Sequence, residues 1–164
     1  LIHYPEEKPE QVDINHLIKK AIKKTAGMML HAPLPWIGIK GINTLSRTIR
    51  RLPQKKNTRY ARQFLGNVVR MQEEIGTGGA GFRFLYAAFL QESGERLDNN
   101  ELFSIAKAMT ATGDLWREFA VQCATAVKHK GRSIDYDSIA RRLRGCGAAE
   151  EDIYRRLSKL HFSK

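Results

Sequence analysis

Acidic side chains are missing from the first part of this sequence. Between Ile14 and Gln72 there is no Asp or Glu, against thirteen Lys and Arg. A span of that kind has no partners for its cations within itself and attracts polyanions: nucleic acid, an acidic protein or anionic lipid. Cysteine is nearly absent too. Cys123 and Cys146 are too few for a disulfide framework or a cysteine zinc site, which points to a reducing, intracellular setting, the cytoplasm. The five histidines, His3, His16, His31, His129 and His161, show no metal-ligand spacing, so neither metal nor cofactor is expected. No uncharged run is long enough to span a bilayer; the longest, Thr25 to Ile39, holds Pro33 and Pro35. No secretory signal is visible. The first residue is Leu rather than Met, and the chain is expected to be the C-terminal part of a longer protein.

What remains is enough for one domain with a real core: 164 residues with a formal net charge of +11. The charge is uneven. From Glu73 to Glu118 eight acids face four bases, and from Phe119 onward ten bases face five acids. Residues 1–12, with Pro5 and Pro9, read as an opening segment or linker, and residues 13–164 as a single helical domain.

Helical spacing organises that domain. Asp13 is placed to cap a helix to about Leu30, with Ile14, Leu17, Ile18, Ala21, Ile22 and Thr25 on one face and Lys19, Lys20, Lys23 and Lys24 on the other. Two prolines interrupt at 33 and 35. A second helix carries Ile42, Leu45, Ile49 and Leu52 inward and Arg47, Arg50 and Arg51 outward, stopping at Pro53. Asn57 or Thr58 caps a third, which carries Phe64, Leu65 and Val68. The run Phe82 to Leu90, apolar but for Arg83, predicts a buried central helix over about 82–93. Asp98 and Glu101 resemble a capping box opening a long helix over about 99–129, with Gly113 as a bend or close crossing. Two short helices close the chain, the first ending at Gly145 or Gly147. The predicted fold is all-α, an irregular bundle of about seven helices.

The feature with most chemical content is Gly76-Thr77-Gly78-Gly79-Ala80-Gly81-Phe82-Arg83. A phosphate-binding P-loop needs Gly-Lys-Ser/Thr after its glycines, and a dinucleotide fingerprint needs a preceding strand; neither is present. Two readings stand. Gly76, Thr77, Gly78, Gly79 and Gly81 with Arg83 form a ligand or anion site at a helix start, or they form a tight packing turn with Arg83 paired to a carboxylate such as Glu73 or Glu74. Lys19, Lys20, Lys23, Lys24, Arg47, Arg50 and Arg51 form either a docking face or solvated helix backs. Cys123 reads as a core residue. Cys146, in Arg144-Gly145-Cys146-Gly147, reads as a turn whose cations lower the thiol pKa. Asp114 with Glu118, and Asp135 with Asp137, are better explained by caps and surface pairs. No catalytic residue is assigned.

The stretch Ile75-Gly76-Thr77-Gly78-Gly79-Ala80-Gly81-Phe82-Arg83-Phe84-Leu85-Tyr86-Ala87-Ala88-Phe89-Leu90-Gln91-Glu92 resembles the second, helical domain of butirosin-biosynthesis-protein-H-like proteins. Ala21 to Met29 followed by Gly38-Ile39-Lys40-Gly41-Ile42, and Asp114-Leu115-Trp116-Arg117-Glu118-Phe119, are similar to its other recurring patches. The resemblance spans about Leu17 to Val121. It implies a preceding N-terminal domain with a cysteine-peptidase-like fold that carries the nucleophile and moves an acyl group from a carrier protein to an amine. It assigns no catalytic residue here and carries over only the glycine turn and Arg83, without a role. The functional expectation is an accessory, substrate-positioning or partner-docking domain of an acyltransferase- or amidohydrolase-like enzyme. Its partners would be that catalytic domain and an acidic carrier protein. The alternatives are a basic nucleic-acid-binding module, a structural or homodimerisation domain, and membrane-surface association through the first helix.

Overall fold

The computed structural model describes residues 12–55, 57–76, 78–129 and 133–162. Among them the chain forms six α-helices and one 3-10 turn, with no strand: α1 (Ile14–His31), α2 (Gly38–Lys55), α3 (Thr58–Glu73), the turn Ala80–Phe82, α4 (Arg83–Arg96), α5 (Asn100–Lys128) and α6 (Tyr136–Lys159). The predicted opening segment falls almost entirely outside the described residues.

Helix α5 takes the middle of the bundle, packed against α3, α4 and α6. It buries Leu102, Ile105, Met109, Trp116, Phe119 and Cys123 against Leu65, Leu90, Ile139, Leu143, Ile153 and Leu157. Each such side chain, fully removed from water, contributes about 1.5–3 kcal/mol. Helix α4, expected as the buried centre, buries Ala87, Leu90, Ser93 and Gly94, while Leu85 on its other side is 66% exposed. Its apolar run reflects one face against α5 and one face left open.

Helices α1 and α2 lie end to end along α6, antiparallel to it. Lys23 Nζ donates to the carbonyls of Ser158 (2.8 Å) and Leu160 (2.6 Å). Ser46 Oγ donates to Ala140 O (2.9 Å), and Arg50 pairs with Asp137 (2.8 Å), so partner numbers fall as the chain advances. The break between the two helices is the proline segment. It needs Gly38, at φ +61, where an added Cβ would sit 2.4 Å from Met29 O. Because α6 ends near Lys23, the first turns of α1 project beyond it. Ile14 and Leu17, predicted to face inward, are exposed, and burial is confined to Ile22 and Ala26.

Four expected boundaries moved. Helix α4, expected over about 82–93, runs on through Gly94 to Arg96. Helix α2 continues past Pro53 to Lys55; a proline in the last turn forfeits one hydrogen bond where few remain to lose. Asn99, not Asp98, caps α5, accepting from Leu102 N at 3.1 Å, while Asp98 adopts φ +48 in the preceding turn. The two closing helices are one. Gly145 and Gly147 lie inside α6, and at Gly147 a Cβ would come within 3.0 Å of Ile42 Cγ2. That glycine brings α6 close to α2 rather than ending the helix, because packing overrides local propensity. The merger reduces the expected seven helices to six. Gly113 proves to be a close crossing: its Cβ would lie 2.6 Å from the Phe84 ring.

Candidate functional site

The glycine corner is a left-handed turn. Gly78, Gly79, Ala80, Gly81 and Phe82 have φ of 66, 86, 49, 56 and 68° in succession, and Thr77 lies outside the described residues. Left-handed backbone costs an L-residue about 1–2 kcal/mol, which falls here on Ala80 and Phe82. The surroundings hold it: Ala80 is fully buried, and its N–H donates to Glu73 Oε1 at 3.1 Å. The Ala80 and Gly81 carbonyls accept from Arg83 Nη1 at 2.9 and 3.2 Å. This corner aims carbonyl oxygens at its cation. Gly76 and Gly78 stay exposed, and Gly79 is buried.

The carboxylate that Arg83 meets is neither Glu73 nor Glu74. It is Glu150, on α6, which accepts from Arg83 Nε and from Trp116 Nε1 (2.5 Å). Local spacing favoured Glu73, but that carboxylate serves the Ala80 N–H. The Arg83 guanidinium stacks 3.8 Å over the Trp116 ring, and the Trp116 carbonyl accepts from Gln72 Nε2 at 2.8 Å. One cluster thereby ties α3, α4, α5 and α6. The side chains are 17% (Arg83) and 1% (Glu150) exposed. A pair this buried adds little net stability, but removing one partner strands the other charge.

The cluster also sets its neighbours' protonation. Cys146 is not in an exposed turn but buried within α6, and its thiol is pushed up to about 11, by burial first and by the Glu150 carboxylate next. Burial alone pushes Cys123 up to about 12. Neither is an activated nucleophile. Burial, then Glu150, also raises the Tyr154 phenol. Among the described residues no group of three or more His, Cys, Asp or Glu is placed to hold a metal ion.

The basic residues separate into two sets. Lys23 sits by Ser158 and Arg50 by Asp137; 21 residues of helix put these points about 30 Å apart. Lys19, Lys20, Lys23 and Lys24 thus lie by one end of α6 and Arg47, Arg50 and Arg51 by the other. Arg50 is matched by Asp137, Lys23 is tied to carbonyls, and Arg47 Nε bonds Asn43 O (3.2 Å). No hydrogen bond or ion pair engages the side chains of Lys20, Lys24 or Arg51 among the described residues.

Sequence reasoning missed a cleft. Helix α2 leans on α6 and α3 on α5, so a gap opens between α2 and α3. Its inner part, about 560 Å³, is lined by Met29, Trp36, Ile42, Leu45, Phe64 and Arg83 among others. Its outer part, about 300 Å³, is lined by Arg47, Arg51, Leu52 and Tyr60. The two parts share Thr44, Thr48 and Phe64. A wider depression of about 1040 Å³, bearing Arg59 and Arg62, adjoins them at Tyr60 and Phe64. No carboxylate lines any of the three. Nη2 of Arg83 has no protein acceptor among the described residues, and Arg83 forms part of the inner wall. The acid-free span was the legible signal.

A family match runs from the first residue to 157, through the corner, the cleft and most of α6. The chain belongs to DUF4872, described as a domain of unknown function. No curated protein and no solved structure matches it. In this DUF4872 domain no described helix is long and apolar enough to cross a membrane.

Proposed function

We propose that this DUF4872 domain is an accessory docking domain of an acyltransferase- or amidohydrolase-like enzyme whose catalytic groups lie in another domain. The α2–α3 cleft and its arginine rim receive an acidic carrier protein. The enzyme class comes from the resemblance to butirosin-biosynthesis-protein-H-like proteins. The observation that carries the docking role is the cleft itself: it is open and free of carboxylates, and Arg51 and Arg59 stand beside it without an ion-pair partner among the described residues. Unmatched guanidinium groups on a concave surface draw an acidic partner in and orient it, an effect that weakens as salt rises. Arg83 has a positioning role, because its Nε is committed to Glu150 and its Nη1 to the corner carbonyls.

The test is a titration of the chain with an acidic acyl carrier protein at low and at physiological salt. Binding should weaken with salt and fall at least about tenfold in R47E/R51E, with an unchanged melting temperature. Equal affinity of wild type and variant would overturn the reading. A second reading, single-stranded nucleic acid, is favoured by Trp36, Tyr60 and Phe64 beside the arginines, a set suited to base stacking. Tighter, strongly salt-dependent binding of single-stranded RNA in the same titration would select it.

A further inference from the structure

The cleft is chemically two-ended. Thr44, Arg47, Thr48 and Arg51 stand at i, i+3, i+4 and i+7, so they share one face of α2. Both guanidinium groups therefore border the outer end. Arg51 has no partner among the described residues, and Arg47 bonds only a backbone carbonyl. The inner end is apolar, walled by Met29, Leu45, Phe64 and Trp36. Trp36 is 67% exposed, yet its backbone is fixed. Ile37 N donates to Leu34 O at 3.3 Å, Gly41 N to Ile37 O at 3.1 Å, and Thr44 Oγ1 to Pro35 O at 2.9 Å. A large indole held in water on a rigid turn is a surface awaiting cover.

We infer that this cleft binds a single-chain anionic amphiphile, with an alkyl chain along Trp36, Leu45 and Phe64 and a phosphate or carboxylate head on Arg47 and Arg51. Each competing class leaves part of the cleft unmet. A cation finds no carboxylate, a small polar anion leaves the apolar wall wet, and a neutral chain gives neither guanidinium an anionic partner. Volumes of about 560 and 300 Å³ suit a small molecule, and a concave slot suits a monomer rather than a bilayer face. Arg83 forms part of the wall at the chain's far end. The inference rests on the reading that this cleft is the working surface, and it names the chemistry the surface selects.

The experiment titrates the whole chain with decyl phosphate below its micelle-forming concentration. Trp36 emission reports binding, with buried Trp116 as the constant background, and calorimetry follows in parallel. Saturable binding with a blue shift is expected. Decanol and inorganic phosphate should each bind at least about tenfold more weakly, and octyl phosphate about tenfold more weakly than decyl, from about 0.8 kcal/mol per methylene. R47A/R51A should lose the preference for phosphate over alcohol. Thr48→Phe, at an exposed helical position in the shared wall, should abolish binding with the melting temperature kept. The inference is overturned if decanol binds as well as decyl phosphate, if Thr48→Phe binds normally, or if only anionic vesicles bind. Amphiphile binding without carrier-protein binding retains it and removes the docking reading; carrier binding without amphiphile binding does the reverse.

Discussion

Arg83 and Arg51 carry the same side chain into opposite circumstances. Arg83 starts α4 between two carbonyls, a buried carboxylate and an indole face. Arg51 ends up on the rim of a cleft with no partner among the described residues. The corner is where the fold satisfies a charge internally, and the cleft is where it leaves charges for something else to satisfy. Substitutions in the first should cost stability and substitutions in the second should cost binding.

The largest effect expected is at Glu150. Glu150→Ala leaves a half-sealed guanidinium and the Trp116 N–H without their acceptor and should cost about 3–5 kcal/mol, read from the urea midpoint. R83M/E150L, which removes both charges, should recover much of that loss. If the double variant is as unstable as Glu150→Ala, the pair is not what Glu150 serves.

The glycine turn offers a graded comparison. Gly81→Ala puts a Cβ 2.6 Å from Arg83 Nη1 in left-handed backbone, whereas Gly78→Ala has open space at a similar φ. The first should cost about 2 kcal/mol or more and the second about 1 kcal/mol. Equal losses would mean that the corner is not built around the arginine.

Thiol ionisation gives a pH test. The Cys146 thiol is raised from the ordinary 9.0 to about 11 when folded. Below pH 9 both states hold the proton and the buried thiol's contribution is whole. Between 9 and 11 only the unfolded chain ionises, so that contribution is lost as pH rises through this window, by about 2 kcal/mol. Against Cys146→Ala the wild-type advantage should therefore shrink from pH 9 to 11, and native Cys146 should resist thiol reagents at pH 8. A fast-reacting native Cys146 would contradict its burial.

Least should happen to stability at the rim. Arg51→Ala should change the unfolding free energy by no more than about 0.5 kcal/mol while weakening decyl phosphate and carrier binding. A large destabilisation there would mean that Arg51 is held from within, like Arg83.

The residues show which of these features could be read from sequence. Helical spacing identified the all-α class, the capping role of Asp13, Asn57 as one of two candidate caps and the core place of Cys123, because each depends on neighbours within about one turn or on composition. The same reasoning named Arg83 and, in its packing reading, a carboxylate partner, but could offer only neighbours such as Glu73 or Glu74, since Glu150 is 67 residues away and only the docking of α6 brings it near. It split α6 at Gly145 and Gly147 because intrinsic propensity penalises glycine in a helix; at Gly147 the close approach of Ile42 outweighs that penalty. It treated seven lysines and arginines as one class, whereas α6 holds the two sets about a helix length apart.

Local order therefore came from the chain: which segments coil, where acid is withheld and where glycines permit left-handed backbone. Those properties depend on short-range sterics and on the sign of charge, which residue identity specifies directly. The closure of Glu150 on Arg83 and the opening of a slot between α2 and α3 depend instead on how α6 and α5 draw helices together from far along the chain. That long-range packing separates the arginines satisfied by the fold from those left facing outward.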